Sequence, residues 1–290
     1  MSNKEVWLQI FQDLKSQGKV SAPRGQKIIE ILDYKIQFHP IDNRFCSFKE
    51  RKLSLSYNFA EWAWYVSGNR NDTRMESYAS FWKTIKNEVP PFYNSNYGHY
   101  FFQENQFDYV FESLKADKDS RQACIVLNKS HVMLSTSKDK ICTYAITFNI
   151  RENKLNMIVN MRSNDVISGT SIDANMFSFL YEYLYVKLLE IYPDLEIGIY
   201  THKADSFHIY ERNFEIMEGI LRTNGENYTE VKCPRITSVK EVDFMLKYYP
   251  MLEEGIRLKV KPDEGIGMIN IPKEFDFTYF LLNQIKKRWK

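Results

Sequence analysis

Glycine and proline are scarce in this chain of 290 residues, at 11 and 9, and nowhere do they gather into a linker. With no repeat and no low-complexity stretch either, the chain reads as one domain over 1–290, long enough to bury a substantial core. Cysteine is scarcer still. Cys46, Cys124, Cys142 and Cys233 form no C-x-x-C pair and no Cys/His ligand spacing, which argues against a metal site and for free thiols in a reducing compartment. Charge of one sign is missing too: 39 basic and 37 acidic side chains leave a net +2, so nothing points to a polynucleotide or membrane partner. No apolar run approaches the length of a bilayer span, and the opening MSNKEVW lacks the apolar core of a signal peptide. The expectation is a cytoplasmic protein.

What the chain does have is apolar and aromatic residues, 44% and 15%, in patterns that assign elements. Val6, Ile10, Phe11 and Leu14 mark a helix over 4–17, stopped by Gly18. KIIEILDYKIQF is a strand. Phe59, Trp62, Ala63 and Val66 stripe a helix over 53–67, with Glu61 in its middle between aromatics. A carboxyl group among aromatics is costly to ionise, whereas a glutamate on a generic helix is usually solvated. A helix over 73–87 carries Trp82 and is broken by Pro90-Pro91; 92–102 is loop and 103–116 helical. Strands at 141–150 and 155–162 form a hairpin across Arg151-Glu152-Asn153-Lys154. A helix over 174–192 is apolar nearly all round and therefore buried. LEIGIYTH is a strand, a helix follows over about 209–222, and beyond Lys232 the pattern weakens until the helix-like FTYFLLNQIKKRWK. The sum is an α+β fold.

Groups with chemistry crowd the ends of these elements between 142 and 210, where a scaffold holds side chains rigid. Cys142 begins the first hairpin strand, and Arg162-Ser163-Asn164-Asp165 ends the second. A Gly/Thr/Ser turn follows, Asp173 opens the buried helix, and His208 and Tyr210 come just after the next strand. A cysteine on a strand is usually a small buried hydrophobe. Arg162 on the paired strand raises its value, because a guanidinium near a thiol favours the thiolate. Arg162 beside Ser163 also suits a phosphate oxyanion, and Arg24 and Arg121 are further cations of that kind. Asp173 at a helix start is equally an N-cap, and His208-x-Tyr210 equally a packed pair of polar aromatics.

The order of these motifs resembles the thymidylate synthase family, which includes the phage deoxycytidylate hydroxymethylases, over about 24–210. The family's R-S-x-D with a Gly four residues on is Arg162-Ser163-Asn164-Asp165 and Gly169. Its H-x-Y is His208-Ile209-Tyr210, its E-x-x-W is Glu61-Trp62-Ala63-Trp64, and its Y-G is Tyr97-Gly98. Its S-R-R appears as Ser120-Arg121-Gln122, and its nucleophilic cysteine falls on Cys142, with the family's aromatic kept as Phe148. The resemblance implies a mixed sheet with flanking helices, one face of the sheet serving a homodimer. It also implies that Cys142 adds to C6 of a pyrimidine nucleoside monophosphate, so that C5 takes the one-carbon unit of 5,10-methylenetetrahydrofolate. Arg24, Arg162 and Ser163 would hold the 5′-phosphate, with Arg121 given by the second subunit. His208 and Tyr210 would hold the sugar, Glu61 would move protons and order water, and Asp165, Gly169, Trp82 and Tyr97 would line the folate side. No metal is implied.

Members acting on deoxyuridylate carry Asn where this chain has Asp173, and the deoxycytidylate hydroxymethylases are similar to it in having Asp. Cytosine offers a 4-amino donor and an N3 acceptor, which an acidic group fits better than it fits uracil. The resemblance therefore implies dCMP (or CMP) as substrate and hydroxymethylation, in which water rather than hydride captures the exocyclic methylene. A phage or a modified-nucleotide pathway would accommodate such an enzyme. The chain departs from the family pattern at Ile141, Thr143 and Thr147 around the cysteine, at Thr170-Ser171, and over about 233–290, which does not resemble the family's short apolar tail. At Gln122 it lacks a phosphate-binding Arg, a loss of about 1.5–3 kcal/mol where no other contact compensates it. Two other readings stay open: a thymidylate synthase methylating dUMP, and a non-catalytic nucleotide-binding relative, against which Cys142 and Glu61 argue.

Overall fold

A computed structural model describes residues 1–88, 91–261 and 265–290. The expected helix break at Pro90-Pro91 thus lies partly outside the described residues, through Pro90. The backbone divides into two units of three segments each. Met1–Leu53, Cys142–Tyr181 and Glu196–Lys232 make the first; Ser54–Ile141, Glu182–Leu195 and Cys233–Lys290 make the second.

Six strands of a mixed sheet lie in the first unit. Their order is Lys19–Ser21, Ile28–Phe38, Glu196–Tyr210, Lys154–Met161 and Thr143–Arg151, with the short Asn164–Asp165 also beside Glu196–Tyr210. Pairing is antiparallel except where Glu196–Tyr210 runs parallel to Lys154–Met161 and to Asn164–Asp165. Period-two alternation explains the central strand: Leu155, Met157, Val159 and Met161 are buried and the residues between them are not. The hairpin turn is tight because Glu152 and Asn153 both take left-handed backbone, at φ 50° and 59°, which matches the twist of the flanking strands. At the other end of that hairpin the register slips between Thr143 and Ala145, a bulge of the kind that re-aims neighbouring side chains. The helix Asn3–Gln17 begins with a capping box between Ser2 and Glu5. It packs on the sheet through Trp7, whose ring lies 5.2 Å from Phe38.

The second unit is mainly helical, built on Leu55–Ser67, Gln106–Ala116, Val239–Arg257 and Asp276–Trp289. The weakly patterned tail supplies the last two. They pack on Leu55–Ser67: the Tyr249 hydroxyl donates to the Phe59 carbonyl at 3.0 Å, and Phe280 meets the Phe59 ring edge-on at 5.7 Å. Pro250 inside Val239–Arg257 is what disguised that helix in the sequence. No described helix is long and apolar enough to cross a membrane.

Three expected elements change. The helix over 73–87 is replaced by two short helical turns, Arg74–Ser77 and Phe81–Ile85, and an extended pair at Asn87–Glu88. A local bond and a tertiary one override propensity there: Asp72 takes the Arg74 backbone N–H two residues on, and the Trp82 indole donates to the Tyr57 hydroxyl. The helix over 209–222 starts only at Phe214, because the strand that contains LEIGIYTH continues to Tyr210. It does so because Ile28–Phe38 offers it a partner from Phe38↔Tyr200 to Ile28↔Tyr210. The buried helix starts at Ser171, so Asp173 lies inside its first turn and is not an N-cap.

Candidate active site

Cys142 is half-buried and sits one residue before the strand Thr143–Arg151. Its carbonyl accepts the Arg162 backbone N–H at 2.8 Å, and Arg162 Nη2 points at its Sγ from 3.5 Å. The hairpin thus delivers the cation–thiol proximity expected from the sequence, and a guanidinium so placed stabilises negative charge on sulfur.

The R-S-x-D and H-x-Y motifs meet through backbone pairing, Asn164↔Phe207 and Asp165↔His208. Asp165 Oδ2 accepts the Ser168 N–H at 2.7 Å, while its Oδ1 is buried without a partner. Burial pushes this carboxyl up; the Ser168 N–H and the charge of His208 pull against it. His208 Nδ1 lies 3.2 Å from the Ser206 carbonyl, which can only accept, so Nδ1 carries a proton. The His208 ring stands edge-on to Tyr210 with centroids 5.0 Å apart. Arg24 is exposed in the loop that enters Ile28–Phe38, whose first residue pairs with Tyr210. Its φ of 54° is left-handed, a costly choice for a non-glycine residue and one often found at functional loops.

Asp173 is reached through Asn164. Asn164 Nδ2 donates to Asp173 Oδ2 at 2.7 Å, and Asn164 Oδ1 accepts from the Thr170 hydroxyl and lies 3.1 Å from His202 Nε2. Burial raises the Asp173 carboxyl to about 7, against the pull of the Asn164 amide. Gly169 is required by this packing, since a Cβ there would stand 2.8 Å from Asn164 Nδ2. Arg51 braces the same turn, donating to the Ile167 carbonyl at 2.8 Å and to Ser171 Oγ at 2.7 Å.

The second unit carries the remaining candidates. Glu61 is buried in the middle of Leu55–Ser67, next to the fully buried Trp62 and Trp64. That differs from the solvated position usual for a helix glutamate. Trp82 meets Trp64 edge-on at 4.8 Å. Tyr97 stacks on Tyr65 at 5.4 Å, and the glycine after it is obligatory, because a Cβ on Gly98 would overlap the Tyr65 carbonyl oxygen at 1.5 Å. Arg121 is exposed beside Tyr109, Glu112 and Asp117 in a surface depression.

Sequence reasoning passed over Asn164, Thr170, Tyr200, His202 and Arg51 as functional groups. The signal for two of them was available: Tyr200, His202 and Ala204 are alternate, buried positions of one strand. Thr143 Oγ1 and both ends of the Asn175 amide are buried without a hydrogen bond, and unsatisfied groups of this kind are uncommon away from sites. Among the described residues no cluster of His, Cys, Asp and Glu could hold a metal ion.

The family model described as Thymidylate synthase matches residues 5–261, and the chain belongs to that family. Membership supports an enzyme that transfers a one-carbon group to C5 of a pyrimidine nucleotide, in a family that uses methylenetetrahydrofolate as co-substrate. The deoxyuridylate hydroxymethyltransferase of Bacillus phage SP01 is 27% identical over 307 residues, covering 97% of this chain and 78% of that protein. The deoxycytidylate 5-hydroxymethyltransferase of Enterobacteria phage T4 is 26% identical over 260 residues, covering 80% and 95%. A putative thymidylate synthase of Methanocaldococcus jannaschii is 34% identical over 119 residues, covering 39% of this chain and 51% of that protein.

Proposed function

We propose that this chain is a deoxycytidylate (or cytidylate) 5-hydroxymethyltransferase. The observation that carries the substrate is Asp173. An amide donor, Asn164 Nδ2, occupies one carboxyl oxygen, and the carboxyl titrates near neutrality. It therefore has both a protonated form, which donates to a cytosine N3, and an acceptor for the 4-amino group.

Cys142 adds to C6 of the pyrimidine, with Arg162 steadying the thiolate. The charge generated at C5 is used to form the new carbon–carbon bond. Glu61 takes the C5 proton and orders the water that ends as the hydroxymethyl oxygen, and loss of the Cys142 sulfur restores the ring. Methylenetetrahydrofolate would supply the one-carbon unit and, once its carbon–nitrogen bond breaks as Glu61 takes the C5 proton, would leave as tetrahydrofolate before water adds to the methylene carbon. Asp165, with a buried Oδ1 free to accept, fits the hydrogen-bonding edge of a folate, and by family resemblance Gly169, Trp82 and Tyr97 complete that side. Arg24, Arg162 and Ser163 hold the phosphate, and His208 and Tyr210 the sugar. The family match over 5–261 runs through both units, which supports one catalytic domain, taken as 1–290 with 233–290 as its divergent part. Val20, Leu32, Tyr144 and Ile199 are exposed apolar side chains on strands, which supports a homodimer through the sheet, with Arg121 given in trans. A cytoplasmic enzyme, phage-encoded and acting in its host, fits relatives that come from phages.

Hydroxymethylation of dUMP is the second reading, favoured by the extent of the match to the phage SP01 enzyme. Purified protein given methylenetetrahydrofolate and, in parallel, dCMP, CMP and dUMP decides by product mass. A hydroxymethylated cytidylate, absent with Cys142→Ala, is expected. Hydroxymethylated or methylated uridylate alone would overturn the cytosine assignment.

A further inference from the structure

Behind Asp173 the first unit holds polar groups with no role in the steps above. Asn164 is 4% exposed, and Thr170, Tyr200 and His202 are fully buried. Hydrogen-bond bookkeeping gives their direction. Asn164 Oδ1 can only accept, so His202 Nε2, 3.1 Å away, carries its N–H. Burial lowers the His202 pKa to about 3, so the ring is neutral and this is its one proton. Nδ1 is then an acceptor, and the Tyr200 hydroxyl 2.7 Å away donates to it. Burial keeps that hydroxyl protonated. The bonds run one way, from Tyr200 to His202 to Asn164 to Asp173, with Thr170 donating into the same amide oxygen. Asp173 Oδ2 is therefore an acceptor, and a proton on this carboxyl belongs on Oδ1, which makes no hydrogen bond in the structure.

We infer that Asn164, His202 and Tyr200 are positioning residues that select the base by fixing the polarity of Asp173. With Oδ2 held as acceptor and Oδ1 carrying the proton, a cytosine is matched at both atoms: N3 accepts from Oδ1, and the 4-amino group donates to Oδ2. A uracil is mismatched at both, because N3–H meets a donor and O4 meets an acceptor. Gly169 belongs to the device, since a side chain there would displace Asn164 Nδ2. A reversed Asn164 amide would turn its oxygen to Oδ2 and undo the pattern. The inference rests on Asp173 being the base-reading residue.

The test is calorimetric binding of dCMP and dUMP, without folate, to wild type, Asn164→Ala, His202→Asn, His202→Gln and Tyr200→Phe, with thermal unfolding in parallel. Glutamine returns an N–H near the Nε2 position and asparagine does not. His202→Asn and Asn164→Ala are expected to lower the dCMP-over-dUMP preference by about tenfold or more, and His202→Gln to keep it within about threefold. Tyr200→Phe, which removes only the outermost donor, falls between. A packing role alone would lower the unfolding temperature of both His202 variants and leave the preference intact, which overturns the inference. A wild type that does not prefer dCMP overturns the functional reading together with it, so the two failures are distinguishable.

Discussion

Each unit buries a polar cluster, and the two are opposite in kind. In the second unit Glu253 is completely buried and both its oxygens are taken: Arg74 Nη1 is 2.7 Å from one, and the Tyr78 hydroxyl and Arg257 Nε are 2.8 and 3.0 Å from the other. Arg74 in turn is paired with Asp72 at 2.7 Å and donates to the Pro250 carbonyl. Every charge faces a charge and the cluster is closed. In the first unit the run from Tyr200 to Asp173 is neutral up to its last member, and it ends on a carboxyl oxygen with no partner in the chain. A closed ionic cluster holds elements together. A directed neutral chain with one open end leaves an atom available, which is what the proposed reading of a cytosine requires.

Substitutions should separate the two regions. The largest effect belongs to Cys142→Ala: product formation is expected to fall by about 10⁴-fold or more, with an unfolding temperature close to wild type, as read by product mass and calorimetry. In the closed cluster, Glu253→Gln removes one of the two carboxylates that face the buried Arg74 and is expected to cost about 3–5 kcal/mol in urea unfolding, with KM for the nucleotide unchanged in the folded fraction. Asp173→Asn is expected to move base preference toward uridylate by about 10–100-fold. It carries a pH signature as well. The folded carboxyl is raised from its ordinary value to about 7, so the folded state binds the proton more tightly than the unfolded one. Stability from this group is full below about pH 4, declines as pH rises toward 7, and is flat above. Asp173→Asn should remove that decline from a series of unfolding curves. The smallest effect is a gain: Gln122→Arg is expected to tighten nucleotide binding about three- to tenfold, by restoring a charge-assisted contact to phosphate.

Much of the first unit was legible in the sequence because its signals are local. Period-two alternation gave the hairpin, and R-S-x-D and H-x-Y gave Arg162, Asp165, His208 and Tyr210, which the sheet then joins through Asp165↔His208. The closeness of Cys142 and Arg162 followed from pairing two strands. What stayed hidden depends on partners remote in sequence. Asn164 was in view only as a variable position inside a motif, since its bonds reach Asp173, Thr170 and His202, 6 to 38 residues away. The strand Glu196–Tyr210 outran its own pattern because Ile28–Phe38 completes it. The helix Val239–Arg257 was obscured by Pro250 and by mixed charge, although Glu241 is buried there, accepting from the Thr278 N–H and hydroxyl at 2.9 Å. A buried glutamate satisfied by a residue 37 positions away leaves no periodic trace.

In the proposed scheme one carboxyl, held by one amide, chooses the base. The scheme is tested most directly by competition. Wild type and Asp173→Asn are each given equal dCMP and dUMP with methylenetetrahydrofolate in one vessel, and the product ratio is read by mass. Hydroxymethylated cytidylate is expected in excess from wild type and uridylate product in excess from the variant. Uridylate product in excess from both proteins would contradict the scheme.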